Sequence, residues 1–163
     1  EVRKRGVIDL AVQLKESGRS RTVGISTHDT SVVKLAAETG VIDVEMFQVN
    51  MANHRLQGRD EVLKVCADCG VGVVAMKPLA GGKLLQHEKN VKIARYQTGG
   101  VMVEAKIPTS LTPIKCLSYV LSRPGVCTTV VGVSSVDELH SILAYPNASE
   151  EEKDYSQLLE ELF

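Results

Sequence analysis

Val71-Gly-Val-Val-Ala-Met-Lys-Pro-Leu-Ala-Gly-Gly-Lys-Leu84 is the stretch that decides the fold. A strand-length apolar run breaks abruptly into Lys77-Pro78 and then into Gly81-Gly82, the way a buried strand opens into a ligand loop. Such a near-continuous apolar run fits a strand covered on both faces, as in a parallel sheet. Outward from it, residues 22–27, 42–50 and 126–133 read as three more strands. Each ends in turn residues and leads to a helix-period segment, which is the order of a parallel βα array. The chain starts on a helix and shows four such strands, where a closed barrel needs eight.

The helical segments carry their own stops and starts. Residues 6–17 place Val7, Ile8, Leu10, Ala11 and Leu14 on one side, and Gly18 ends them. Asp29, Thr30 or Ser31 caps a helix over 29–38, and another is expected over 59–69. Thr112-Pro113 starts a helix running through Cys116, Leu117, Val120 and Leu121 to Arg123-Pro124-Gly125. Ser135-Val-Asp-Glu138 is a capping box for a helix ending at Leu143, and Ser149 to Glu152 repeats the pattern before one charged terminal helix. Residues 80–110, with four glycines and no strong period, read as a long loop of the functional or mobile kind.

With 163 residues, 44% of them hydrophobic, the chain can bury one ordinary core. A formal net charge of −1 from well-mixed residues argues against a nucleic-acid partner. No apolar stretch approaches the roughly 20 residues of a membrane helix, and Glu1-Val-Arg-Lys-Arg5 lacks the apolar core of a signal peptide, so a cytoplasmic location is expected. Cys66, Cys69, Cys116 and Cys127 read as reduced thiols, Cys116 and Cys127 fitting as small hydrophobes; Cys66-Ala-Asp-Cys69 has no second ligand pair for a metal. His54, His87 and His140 do not cluster and are assigned no chemistry.

In parallel α/β proteins ligands gather at the strand C-termini, here Ser26-Thr27-His28, Asn50, Met76-Lys77-Pro78 and Gly132-Val133-Ser134. Leu79-Ala-Gly-Gly82 can bring backbone amides close to a diphosphate, which points to an anionic cofactor. Neither GxGxxG nor a Walker A sequence occurs.

Val23-Gly-Ile-Ser-Thr-His28, Asp43-Val-Glu-Met-Phe-Gln-Val-Asn50, Gly72-Val-Val-Ala-Met-Lys-Pro-Leu-Ala-Gly-Gly82 and Val131-Gly-Val-Ser-Ser-Val-Asp-Glu-Leu139, in that order, resemble the second half of an aldo-keto reductase. Ser-Thr-His28, together with Glu-Glu-Lys-Asp-Tyr-Ser156, is similar to the branch that often carries a ferredoxin-like iron-sulfur extension. The resemblance implies an α/β fold that is half of a (β/α)8 barrel over residues 1–163, from the fourth helix to the eighth plus a terminal helix. It implies an oxidoreductase moving hydride between NADP(H) or NAD(H) and a small carbonyl or alcohol.

By the same resemblance Ser26 and Thr27 hold the nicotinamide carboxamide, with Asn50 at the end of the next strand and Met76 offering a thioether face to the ring. Lys77, Pro78, Leu79 and Gly81 line the diphosphate, while Gly132, Val133, Ser134, Ser135 and Glu138 approach the adenosine ribose. Met46 stands where Gln is frequent. The family's catalytic Tyr and its partners belong to the other half, and Tyr96, Tyr119, Tyr145 and Tyr155 are in the wrong places to replace them. An inactive isolated chain is therefore expected, self-associating or paired with the missing barrel half. The alternative reading is a non-catalytic cofactor-binding or scaffold module.

Overall fold

Helix α1 (Val7–Glu16), strand β1 (Gly24–Thr27), helix α2 (Thr30–Ala37), strand β2 (Val44–Gln48), helix α3 (Arg59–Asp68) and strand β3 (Gly72–Met76) follow one another in strict alternation. Strands β4 (Asn90–Ala94) and β5 (Met102–Lys106), helix α4 (Pro113–Leu121), strand β6 (Val126–Val130) and helices α5 (Val136–Leu143), α6 (Glu150–Lys153) and α7 (Ser156–Leu162) complete the order. This is a computed structural model, and it describes residues 6–54, 56, 58–94 and 102–162. Four strands form one parallel sheet in the order β1-β2-β3-β6, as the alternation of runs implies.

Strand register sorts the side chains onto two faces. Ile25, Glu45 and Val73 form one row, and Thr27, Phe47, Ala75 and Thr129 the next. These rows face the helices: Val33, Leu63, Cys66, Cys116 and Val120 join Phe47, Val73 and Ala75 in the core. The alternate residues, Ser26, Met46, Val74 and Thr128, then Gln48, Met76 and Val130, lie on the opposite face. There Met46, Val74 and Met76 are only half-buried, while Ser26 and Val130 are exposed.

Local chemistry explains the boundaries. Asp29 is the cap of α2, its carboxylate accepting from Ser31 N at 2.8 Å, and Thr112 caps α4 with Pro113 in the first turn. Gly125 has φ 73° before β6, and a Cβ there would lie 2.7 Å from the Leu63 carbonyl oxygen. Only glycine fits that turn against α3.

Three expectations are corrected. Residues 80–110 are no plain loop: β4 and β5 pair antiparallel, Asn90 opposite Lys106 and Ala94 opposite Met102, while residues 95–101, Tyr96 among them, lie outside the described set. Their alternating side chains form a hairpin that periods of helical length do not detect. The terminal helix is two helices, because Asp154 leaves helical backbone (ψ 118°) and its carboxylate accepts from Ser156 N at 3.0 Å. Cys127, expected as a packed hydrophobe, is exposed, whereas Cys66 and Cys116 are buried with thiols pushed up to about 11 and about 12 by desolvation. All four cysteines are free thiols. Among the described residues, no helix is long and apolar enough to cross a membrane, and no His, Cys, Asp and Glu side chains gather as a metal site.

Candidate functional site

Because all four strands of the sheet run the same way, their C-termini bring three sequence-distant segments to one rim. Ser26 and Thr27 end β1 and His28 follows it; after β3 comes the Lys77-to-Gly82 turn; and after β6, its neighbour, come residues 131–135 and the start of α5.

The turn after β3 has an unusual backbone. Lys77 (φ 57°), Ala80 (φ 50°), Gly81 (φ 69°) and Gly82 (φ 81°) are all left-handed, two of them with side chains that disfavour this region. Pro78 and Leu79 are buried and anchor the turn, and Ala80 N closes it by donating to Lys77 O at 2.9 Å. Gly81 and Gly82 are exposed, and where a Cβ would stand on either, nothing lies within 4 Å. Strained backbone around exposed glycine amides is a common design for an anion cradle.

Lys77 lends that cradle a cation. Its side chain is exposed, and Nζ donates to His28 Nε2 at 3.2 Å. Burial, with the Lys77 charge in addition, holds the His28 imidazole below its usual value, so at neutral pH it is an uncharged acceptor. On the open sheet face Met76 lies half-buried beside Val130 and Gln48. The Gln48 amide is buried with no hydrogen-bond partner for either terminal atom. Ser26 is exposed, while Thr27 Oγ1 accepts from Asp29 N at 3.1 Å, which makes it a turn-forming residue as well as a rim residue.

At the β6 end Gly132, Val133, Ser134, Ser135 and Glu138 are all exposed. Ser135 Oγ accepts from Glu138 N at 3.1 Å, and a Glu138 carboxylate oxygen accepts from Ser134 N at 2.6 Å. The Ser135 hydroxyl thus caps α5, and the Glu138 carboxylate reaches back to Ser134 N just before the helix, a position close to where an incoming anion would settle.

Asn50 differs from the rest. It is buried, its Oδ1 accepts from Asn53 N at 3.2 Å, and its Nδ2 donates to Lys77 O at 3.0 Å. Asn53 Oδ1 accepts in return from Asn50 N at 3.0 Å. Behind them Arg59, fully buried, donates through Nη1 to Asn53 O at 3.0 Å and to the Tyr119 hydroxyl. Its Nε and Nη2 go to Asp60 at 2.8 and 2.6 Å. His54, assigned no chemistry by its position in the sequence, reaches the same hydroxyl through Nδ1 at 2.9 Å. Nothing in the sequence advertised this network, because Arg59 and Tyr119 come together only when α3 and α4 pack.

The tyrosines in the described residues are engaged elsewhere. Tyr119 is buried between Arg59, His54 and Arg123; the Tyr155 hydroxyl bonds Ser122 at 2.7 Å and Arg123 at 2.9 Å; Tyr145 lies under the Lys153 ammonium.

Residues 6–161 match the family model described as the Aldo/keto reductase family. Among curated proteins, an uncharacterized oxidoreductase, YqkF, of Bacillus subtilis (strain 168) is 25% identical, with 86% of this chain and 49% of that protein covered. Among solved structures, the aldo-keto reductase AKR11C1 from Bacillus halodurans is similar in its apo form, with a TM-score of 0.68 and 25% identity over 93% of this chain and 55% of that one. Its holo form gives a TM-score of 0.66 at 23% identity, covering 93% and 54%. The chain spans about half the length of the relatives it matches.

Proposed function

This chain belongs to the aldo/keto reductase family, and from that premise we propose that it supplies the cofactor-holding part of a barrel in which hydride passes between a nicotinamide dinucleotide and a small carbonyl or alcohol. The left-handed Lys77-to-Gly82 turn at the C-terminal end of β3 carries the reading. It offers exposed glycine amides and a lysine ammonium where a diphosphate needs both. Pro78 and Leu79 hold that turn down, Gly81 leaves room for the phosphates, and Ser26 and Thr27 take the carboxamide. Met76 presents its thioether to the ring, and Asn50 supports the turn from behind. Gly132, Val133, Ser134, Ser135 and Glu138 sit at the adenosine ribose. When bound, the nicotinamide supplies or accepts the hydride.

The proton that must accompany hydride transfer comes from a group outside the residues described, since Tyr119, Tyr145 and Tyr155 are all committed to other contacts. A chain restricted to this segment therefore holds cofactor without turning over substrate. Its half-open sheet face and the exposed Val7, Leu10 and Val130 then drive pairing with the remainder of the barrel or with a second copy. The likeness to relatives with an iron-sulfur extension rests on the Ser26-Thr27-His28 and Glu151-to-Ser156 motifs.

Glu138 sets the choice of cofactor. A carboxylate held against Ser134 N at the start of α5 repels a 2′-phosphate and suits ribose hydroxyls. In the full protein Glu138→Arg is expected to tighten NADPH binding relative to NADH by about tenfold, roughly one new charged contact. Dissociation constants for both cofactors, parent against variant, check this. A parent that strongly prefers NADPH, with the ratio unmoved by the substitution, means that Glu138 acts only as a helix cap.

A further inference from the structure

Lys77 adopts a backbone conformation that costs a side-chain-bearing residue free energy, and such residues persist only where their surroundings hold them. Its carbonyl oxygen accepts twice, from Ala80 N inside the turn at 2.9 Å and from Asn50 Nδ2 outside it at 3.0 Å. Asn50 is fixed by reciprocal bonds with Asn53, and Asn53 is held by the buried guanidinium of Arg59, itself bound to the Tyr119 hydroxyl of α4. Every member of the series except the Lys77 side chain is buried.

We infer that Tyr119, Arg59, Asn53 and Asn50 form a positioning relay that locks Lys77 in its left-handed conformation and so aims the Lys77-to-Gly82 cradle. Asn50 is thus a positioning residue that acts through Lys77 and leaves the cofactor itself to the turn. The inference rests on the cofactor reading only for the consequence it has on binding. A left-handed residue is held against its preference, so loosening the outer bond frees the turn without melting the sheet. The His28 contact of Lys77 is made through the side-chain Nζ and does not replace the bond to its carbonyl.

Asn50→Ser is the informative variant, because the serine oxygen still caps Asn53 N but no longer reaches Lys77 O. Amide hydrogen exchange on the full chain is compared in four proteins: parent, Asn50→Ser, Lys77→Gly and the double variant. The relay predicts that Asn50→Ser speeds exchange at Ala80 and Leu84 about tenfold while Val74 and Ala75 in β3 keep their protection. In the Lys77→Gly background the same substitution changes those amides less than about threefold, since glycine needs no holding at this φ. Tyr119→Phe, which keeps the ring and removes the far anchor, shifts the same amides in the same direction and serves as the second variant if Asn50→Ser does not fold. Unchanged exchange at Ala80 and Leu84, or an effect equal in both backgrounds, overturns the relay. Titration of the same proteins with NADH and with NADPH separates the two ideas: a parent that binds neither defeats the cofactor reading, while the exchange comparison still decides the relay.

Discussion

Raising the pH from about 4.5 to about 7 is expected to cost this protein about 3 kcal/mol of stability through one side chain, Glu45. Glu45 sits in the row that faces the helices, between Ile25 and Val73, fully buried, with neither carboxyl oxygen hydrogen-bonded. Desolvation alone pushes it from 4.5 up to about 7. Nearby Cys66 adds no compensating charge; its thiol is itself driven up, by burial first and by Glu45 next. The folded state thus binds the proton more tightly than the unfolded one. Below about pH 4.5 both states are protonated and nothing is lost. Between about 4.5 and 7 the unfolded carboxyl ionises first and stability falls, levelling off once the folded group ionises too. Urea melts between pH 4 and 8 check it: Glu45→Gln flattens this slope, and Glu45→Met, which also removes the unpaired polar atoms, is more stable than the parent at pH 8 by about 3 kcal/mol. Parallel slopes in parent and Glu45→Gln would show that the carboxyl finds water or a partner.

Arg59→Met is expected to destabilise the chain by about 3 kcal/mol or more. The substitution preserves much of the buried stem but leaves Asn53 O without its donor, and takes the guanidinium from the Tyr119 hydroxyl, which keeps only its bond to His54. Asp60 suffers little, since its side chain is largely exposed and returns to water. Arg59→Lys does not rescue, because one ammonium cannot serve Asn53, Tyr119 and Asp60 with the spread of a guanidinium. Denaturant midpoints for the three proteins decide the matter. A loss below about 1 kcal/mol for Arg59→Met would mean that the surroundings collapse around the smaller polar demand.

These two residues also show where the sequence is opaque. The four parallel strands and the caps Asp29, Thr112, Ser135 and Ser149 were legible because each is set by neighbours within a few residues. The β4–β5 hairpin was legible in principle, through the alternation of Asn90-Val-Lys-Ile-Ala94, but the surrounding glycines and mixed charges masked it. Glu45 carried a quieter signal: it lies two residues from Phe47 and therefore on the same, core-facing side of β2. Arg59 carried none, since a charged residue opening a helix normally faces water. Its burial is decided by Tyr119, sixty positions away.

For the rim, the sequence placed both the turn after β3 and the α5 start at strand C-termini, and the strand order makes β3 and β6 neighbours. It did not distinguish residues that present atoms outward, such as Lys77 and Gly81, from Asn50, which turns inward to hold them. That distinction depends on a contact between segments 27 residues apart.

The most direct measurement follows the backbone amides of the 15N-labelled protein while NADH or NADPH is added. Binding at this rim shifts Gly81, Gly82, Ser134 and Ser135 together along one saturation curve, while Gly40 and Gly70, at the opposite ends of the strands, stay still. Resonances at the rim that do not move at millimolar cofactor, or a shift confined to the far end of the sheet, would contradict the assignment of this rim as the cofactor site.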